Sequence, residues 1–309
     1  MMDKLVAEFP AQLKEAMEIG RNAQINPHHQ PIYRAHAAGL GGSGIGANFV
    51  AAFIRDESTI PYTVSKGYSV PKFVDKHTLA LASSYSGNTE ETLSSFEQYL
   101  DTGAKIVVIA SGGKLIEAAQ THGLDYIQLP GGKPSPRACL GYSLVQQLYV
   151  FSKLGFIGAQ YVQELEKASA LLEQEQEQIM GKARQIAGYL QGKIPIIYTT
   201  DRMEPVAIRF RQQLNENSKM LCWHHVVPEM NHNELVGWRA QHPEAAVVFL
   251  RNSDDHYRNS LRIDINKEII GNYTQSLIEV YSRGESLIER SLYFVHLVDW
   301  VSVFLADLQ

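Results

Sequence analysis

The chain has 309 residues, 45% hydrophobic and 20% charged, with a net charge of −5, the mix of a soluble globular protein long enough for two ordinary domains. A pI near 6.1, with no basic cluster or aromatic RNA-binding motif, argues against nucleic acid as a partner. The two cysteines, Cys139 and Cys222, are too few for a disulfide scaffold, and their apolar neighbours suit reduced core thiols in a cytosol.

Met1 to Pro10 carries Asp3, Lys4 and Glu8 among its apolar residues. It therefore lacks the uninterrupted apolar run of a signal peptide, and a cytoplasmic location is expected. Leu5, Phe9, Leu13 and Met17 predict a lead-in helix over residues 3 to 25, with Gly20 as a stop signal. Ala35 to Leu40 reads as a strand that enters Gly41-Gly42-Ser43-Gly44-Ile45-Gly46, followed by a helix ending near Arg55. Strands are predicted at Ile60 to Val64, Leu79 to Ala82 and Lys105 to Ala110, with a helix over 89 to 102 closed by Gly103. A helix from Leu115 to His122 and a strand from Tyr126 to Leu129 precede the Pro- and Gly-rich loop 130 to 137, and an apolar helix over 139 to 154 closes the unit at Gly155. Alternating strands and helices predict a parallel sheet.

A long polar helix from Ala159 to about Leu190 follows, its Glu-Gln run reading as a solvated face. Strands are then expected at Ile194 to Thr200, Ala246 to Leu250 and Leu261 to Ile265, with a helix from Pro205 to Asn217. The fold class is thus α/β, with two doubly wound domains of mainly parallel sheet flanked by helices, at 1–155 and 156–309. The apolar segment Leu292 to Leu305 contains His296 and Asp299 and is shorter than the roughly 20 residues that span a bilayer, so it reads as a buried or interfacial helix and no membrane partner is expected.

Ser83-Ser84-Tyr85-Ser86-Gly87-Asn88-Thr89-Glu90-Glu91-Thr92 leads from a buried strand into a helix start. Free N–H groups and the positive end of the helix dipole gather there, so several hydroxyls at this place form a socket for phosphate. Gly87 would let the backbone come close to the anion. Plain helix capping by Thr89 and Thr92 is the competing explanation, but capping needs only one hydroxyl. Gly39-x-Gly41-x-x-Gly44 has the spacing of a dinucleotide fingerprint, yet the next strand ends in Ser65-Lys66 rather than in the acid that would hold a ribose. A second anion-binding turn, with Gly42 and Ser43 turned to the same ligand, fits better; glycines needed only for helix packing remain the alternative.

Arg137, in the Pro-rich loop, can reach a sugar oxygen or a developing enediolate, although a surface arginine would be equally ordinary there. In the second half, Glu216 ends a helix and His232 lies in Pro228-Glu229-Met230-Asn231-His232-Asn233-Glu234. An isomerase needs a carboxylate base and a ring-opening group, commonly an imidazole, and these two could supply them. A solvated helix end and a hydrogen-bonded loop histidine are the plain readings of the same residues. His224, His225, His232 and His242 raise the question of zinc, but lack the ligand spacing of a zinc site.

Taken together, Gly41-Gly42-Ser43-Gly44, Ser84 to Thr92, Pro136-Arg137, Asn215-Glu216-Asn217 and Pro228 to Glu234 resemble, in order and over nearly the whole chain, the bifunctional phosphoglucose/phosphomannose isomerases built of two sugar-isomerase (SIS) domains. That resemblance implies that Ser43, Ser84, Ser86 and Thr89 hold a 6-phosphate beside Gly42, that Arg137 steadies an enediolate, that Glu216 is the base and that His232 assists ring opening. It implies glucose 6-phosphate and mannose 6-phosphate as substrates, no metal or other cofactor, and a homodimer in which the histidine reaches the neighbouring subunit's site. A non-catalytic or differently specific SIS-domain sugar-phosphate-binding protein is the alternative. The family usually continues past its last apolar helix into a segment with a lysine near the substrate ring, whereas this sequence stops at Gln309 and has no lysine after Lys267. Ring opening would then rest on His232 and other groups, or activity would be altered.

Overall fold

A computed structural model describes residues 1–309. The chain forms two compact units, one of Glu8–Glu166 and one of Lys167–Gln309 together with Met1–Ala7. The expected single lead-in helix is two: α1 (Met2–Ala7) and α2 (Phe9–Asn22), with a turn at Glu8 and Pro10 in the first turn of α2. Proline lacks a backbone N–H and is tolerated at a helix start but not in its interior, so the break falls there.

In the first unit β1 (Arg34–Ala38) leads to α3 (Gly41–Ile54) and β2 (Tyr62–Ser65). β3 (Thr78–Ser83), α4 (Glu90–Leu100), β4 (Lys105–Ala110), α5 (Gly113–Thr121), β5 (Asp125–Gln128) and α6 (Leu140–Lys153) follow. The sheet order is β2-β1-β3-β4-β5 with every pairing parallel. All six residues of β3 are buried, as a strand covered by helices on both faces requires. One side of the sheet packs Ala80, Ala82, Ile106 and Val108 against Phe96 and Tyr99 of α4 and Leu115 and Ala119 of α5.

The long helix α7 (Gln160–Leu190) carries the chain into the second unit. There β6 (Ile194–Thr200), α8 (Glu204–Glu216), β7 (Trp223–Val227), β8 (Ala245–Arg251), α9 (Tyr257–Ile270), β9 (Ser276–Tyr281) and α10 (Leu287–Asp307) follow. The order β7-β6-β8-β9, again wholly parallel, repeats that of the first four strands of the other sheet. Each unit is therefore wound both ways from its first strand, as the α/β reading requires. α10 is buried along nearly all its length and packs on α8 and on α1, and no helix is long and apolar enough to cross a membrane.

One expectation fails in this half, and two strands went unpredicted. Leu261 to Ile265 is not a strand but lies within α9. Its apolar residues alternate, but Leu261 and Ile265, four apart, are exposed while Ile263 is buried, the pattern of a helix face. The strands that complete the sheet are instead β7 and β9 at its two edges.

Candidate active site

The first unit changes winding direction between β1 and β3, and at such a switch point the carboxyl ends of two neighbouring strands open a crevice that binds ligands in α/β sheets. Both predicted anion-binding segments lie there. Ser84 is buried, Thr89 half-buried and Ser86 exposed. The Ser84 Oγ lies 2.8 Å from Thr89 Oγ1 and 3.5 Å from Ser86 Oγ, while the Asn88 N–H donates to Ser86 Oγ. Thr89 is the N-cap residue of α4, yet its hydroxyl caps no backbone N–H. Buried Thr92 likewise has no partner for its Oγ1. The hydroxyls thus cluster with one another at the helix start instead of closing it, which is the arrangement phosphate binding needs and capping does not.

The backbone explains how the turn holds its shape. Gly87 has φ +69°, and a Cβ there would lie 1.8 Å from Gly112 O. The close approach that requires glycine here is to the β4–α5 turn, a reason beyond the expected approach to an anion. Ser111 N donates to Tyr85 O, Leu115 N to Gly87 O and Lys114 N to Asn88 Oδ1, so the two turns are stitched together.

The glycine segment is also corrected. Gly41 to Gly46 is the first part of α3 rather than a loop, and the N–H groups of Ser43 and Gly44 donate to Leu40 O. Close packing accounts for Gly39, Gly44 and Gly46, whose added Cβ atoms would meet Ser83 O, Gly39 O and Ser143 Oγ. Gly42 differs, since its free side faces Pro136 O, at 3.2 Å from an added Cβ, with Arg137 Cα just beyond. Arg137 itself is half-buried on a 3-10 turn, Pro136–Ala138. The preceding loop is tied to the socket by Tyr85, whose hydroxyl donates to Pro130 O and accepts from Lys133 N; burial pushes this phenol up to about 12. Gly42 thus meets the loop that carries Arg137, the hydroxyls of Ser84, Ser86 and Thr89 meet one another, and the segments holding Ser43 and Ser84 follow the neighbouring strands β1 and β3. The Tyr85 tether was not foreseen, and only its place between Ser84 and Ser86 hinted at it.

The second sheet has its own switch point, between β6 and β8, and fills it differently. There Asp255 accepts from Thr200 Oγ1 at 2.6 Å and from Asn252 N at 3.2 Å, and burial raises its pKa. A carboxylate occupies the place where the first unit offers hydroxyls, so an anion is favoured only in the first.

Glu216 is the last residue of α8 and is exposed. The turn beyond it is clamped to α10: Asn217 Nδ2 donates to Ser302 Oγ at 2.9 Å, and Ser218 Oγ to Ser302 O at 2.7 Å. One helical turn further into α10, Asp299 accepts from Nε and Nη2 of Arg209 at 3.0 and 2.6 Å, with both side chains almost wholly buried. His232 ends a 3-10 turn, Glu229–His232, and is exposed. Its neighbours are spent on shape: Asn231 donates to Asn266, Asn233 to Glu229, and Glu234 accepts from the Tyr198 hydroxyl and Trp223 Nε1. Glu216 precedes β7 and His232 follows it, so the whole strand separates them in the chain. His224 and His242 sit against different carboxylates, Glu204 and Glu244.

Residues 179–309 match the bacterial phospho-glucose isomerase C-terminal SIS domain. The bifunctional phosphoglucose/phosphomannose isomerase of Caldicellulosiruptor bescii is 38% identical over 317 aligned positions, covering 99% of this chain and 93% of that protein. The protein of the same name from Aquifex aeolicus is 40% identical over 273, covering 87% and 83%. Among solved structures, the C-terminal domain of glucosamine-fructose-6-phosphate aminotransferase from Francisella tularensis superposes with a TM-score of 0.79 at 16% identity, covering 99% of this chain and 95% of that one. At that identity the likeness is one of fold.

Proposed function

The chain belongs to the bifunctional phosphoglucose/phosphomannose isomerase family, and from that premise we propose that it interconverts glucose 6-phosphate and mannose 6-phosphate with fructose 6-phosphate through an enediolate. Ser84, Ser86 and Thr89, with Gly42 and Ser43 beside them, hold the 6-phosphate. Arg137, on the loop that meets Gly42, supplies the guanidinium for the charge that develops on the sugar oxygens. The observation that carries this reading is the cluster of hydroxyls at the start of α4, where Ser84 lies against Thr89 and Ser86 and the Thr89 hydroxyl caps no backbone N–H.

His232 assists ring opening. Glu216 then takes the C2 proton of the open aldose; the C–H electron pair moves into the C1–C2 bond and the carbonyl pair onto O1, giving the planar enediolate. Transfer of the O2 proton to O1 moves the charge to O2, and return of the proton to C1 as the O2 pair re-forms a carbonyl at C2 yields the ketose. The enediolate has no configuration at C2, so one base serves both epimers when the open chain rotates about C2–C3. An exposed carboxylate at the end of a helix whose following turn is clamped to α10 suits this task, since a base must be reachable and still. The position of His232, beyond the other end of β7 and exposed, suits a histidine that serves a second copy of the chain. A cytoplasmic homodimer is the assembly this reading takes, and Cys139 and Cys222, which form no disulfide, accord with a reducing compartment.

Purified Glu216→Gln, assayed in both hexose phosphates with and without chelator, should lose about 10² to 10⁴ in kcat while still binding fructose 6-phosphate. Turnover at the wild-type rate would remove Glu216 from its role. Tight binding with no turnover by the unmodified protein would favour a sugar-phosphate sensor instead. Turnover confined to an amino sugar phosphate would keep the fold and discard the substrate.

A further inference from the structure

The turn that follows Glu216 contains the only non-glycine residue of the chain with positive φ: Lys219, at φ +55°. Its place is that of a helix C-cap. Ser218 N and Met220 N both return to Leu214 O, closing α8 in a manner that commonly puts glycine or asparagine in the left-handed position. A lysine there carries a side chain that opposes the backbone conformation. Left-handed non-glycine residues gather at functional sites, where the surroundings over-determine them. The surroundings here do so, because Asn217 and Ser218 on one side are bonded to Ser302 and Met220 O on the other accepts from Asn215 Nδ2 at 2.6 Å.

The conformation decides where the ammonium goes. Lys219 Nζ folds back and donates to Glu216 O, which holds its positive charge at the main chain of the residue that carries the carboxylate. Both residues are exposed.

We propose that Lys219 is a second catalytic residue at this helix end, its ammonium neutralising the negative charge that builds on O1 or O2 of the sugar while Glu216 holds the C2 proton. The proposal rests on Glu216 being the base. When Glu216 removes the proton, the electron pair it leaves behind ends on a carbonyl oxygen, and the enediolate carries one full negative charge that the ground-state sugar does not. A fixed cation at the same turn interacts with that charge in the transition state far more than with the neutral substrate, and such groups act on kcat. The plain alternative is that the ammonium merely satisfies a carbonyl at the end of α8.

Substitution separates the two, because glycine suits the backbone and lacks the charge. Lys219→Gly, Lys219→Arg and Lys219→Met are compared with the unmodified enzyme for thermal midpoint and for kcat and KM with fructose 6-phosphate, with Glu216→Gln alongside. Lys219→Gly should melt at or above the wild-type temperature and lose roughly 10²-fold in kcat with little change in KM, and Lys219→Arg should recover part of the rate. A Lys219→Gly enzyme whose kcat stays within about twofold of wild type overturns the proposal and leaves the lysine as a helix cap. If the glycine variant fails to fold, Lys219→Met, which keeps the stem and loses only the charge, is read by the same criterion. An active Glu216→Gln would remove the base and this inference together; an inactive one beside a fully active Lys219→Gly removes this inference alone.

Discussion

Replacing Gly87 with alanine should uncouple the proposed phosphate socket from the turn that supports it. The new Cβ would stand 1.8 Å from Gly112 O, whereas real Cβ atoms keep beyond 3.0 Å, and both partners are backbone. One of the two turns must therefore shift by about 1.2 Å in a close-packed interior. The hydroxyl pair of Ser84 and Thr89, at 2.8 Å, cannot keep its geometry through such a shift. Each hydrogen bond to a charged group contributes about 1.5 to 3 kcal/mol, so losing two phosphate contacts costs roughly 3 to 6 kcal/mol, or about 10² to 10⁴ in affinity. The left-handed backbone adds about 1 to 2 kcal/mol of instability. Gly123 provides the control, because its φ is +63° and an added Cβ meets nothing; Gly123→Ala carries the backbone cost without the collision. The assay is the KM for fructose 6-phosphate, with circular dichroism to show that both variants are folded. Gly123→Ala should melt lower and bind normally, and Gly87→Ala should melt lower still and bind poorly. A folded Gly87→Ala enzyme with a KM within about threefold of wild type would show that the turn does not grip the phosphate with hydrogen bonds of this strength.

Asp299→Ala would leave the Arg209 guanidinium buried without its carboxylate, at a cost of about 3 to 5 kcal/mol. Thermal unfolding should fall by roughly 2 to 4 °C for each of these, and Arg209→Met with Asp299→Leu should restore most of the loss. The pH profile of stability should carry the mark of His36, buried between Tyr99 and Ser65, whose pKa burial lowers to about 4. Its folded value lies below the unfolded 6.5, so the unfolded chain binds the extra proton between the two. Stability is then full above about pH 6.5 and is lost as pH falls toward 4, by about 1.4 kcal/mol per unit at most. Buried His296, whose pKa burial also lowers to about 4, adds a like slope, so His36→Gln should reduce the dependence of stability on pH over that window by about half, and an unchanged slope would exclude His36 as a source.

Much of the first unit was legible in the linear chain. β3 and β4 are continuous apolar runs between turn residues, and a strand buried on both faces has to be written that way. The helix over 89 to 102 was legible for the same reason: Leu93, Phe96 and Leu100, at i, i+3 and i+7, form the face of α4 that meets the sheet. Edge strands carry no such obligation. β7 reads Trp-His-His-Val-Val and is half-exposed, and β9 has only Val280 fully buried, so neither stood out, while the alternating apolar residues of α9 did. Residue types alone also marked the hydroxyl turn, Arg137, Glu216 and His232 as the places where chemistry could reside, because several hydroxyls at one helix start or a carboxylate at a helix end need no fold to be noticed. Which atoms face which is another matter. That Gly87 meets Gly112, that Tyr85 ties down the arginine loop, that α1 joins the second unit and that Lys219 bends back over Glu216 all depend on contacts between segments distant in sequence or on a single backbone angle. Such contacts arise only when the sheets have formed, and no local pattern of apolar and polar residues encodes them.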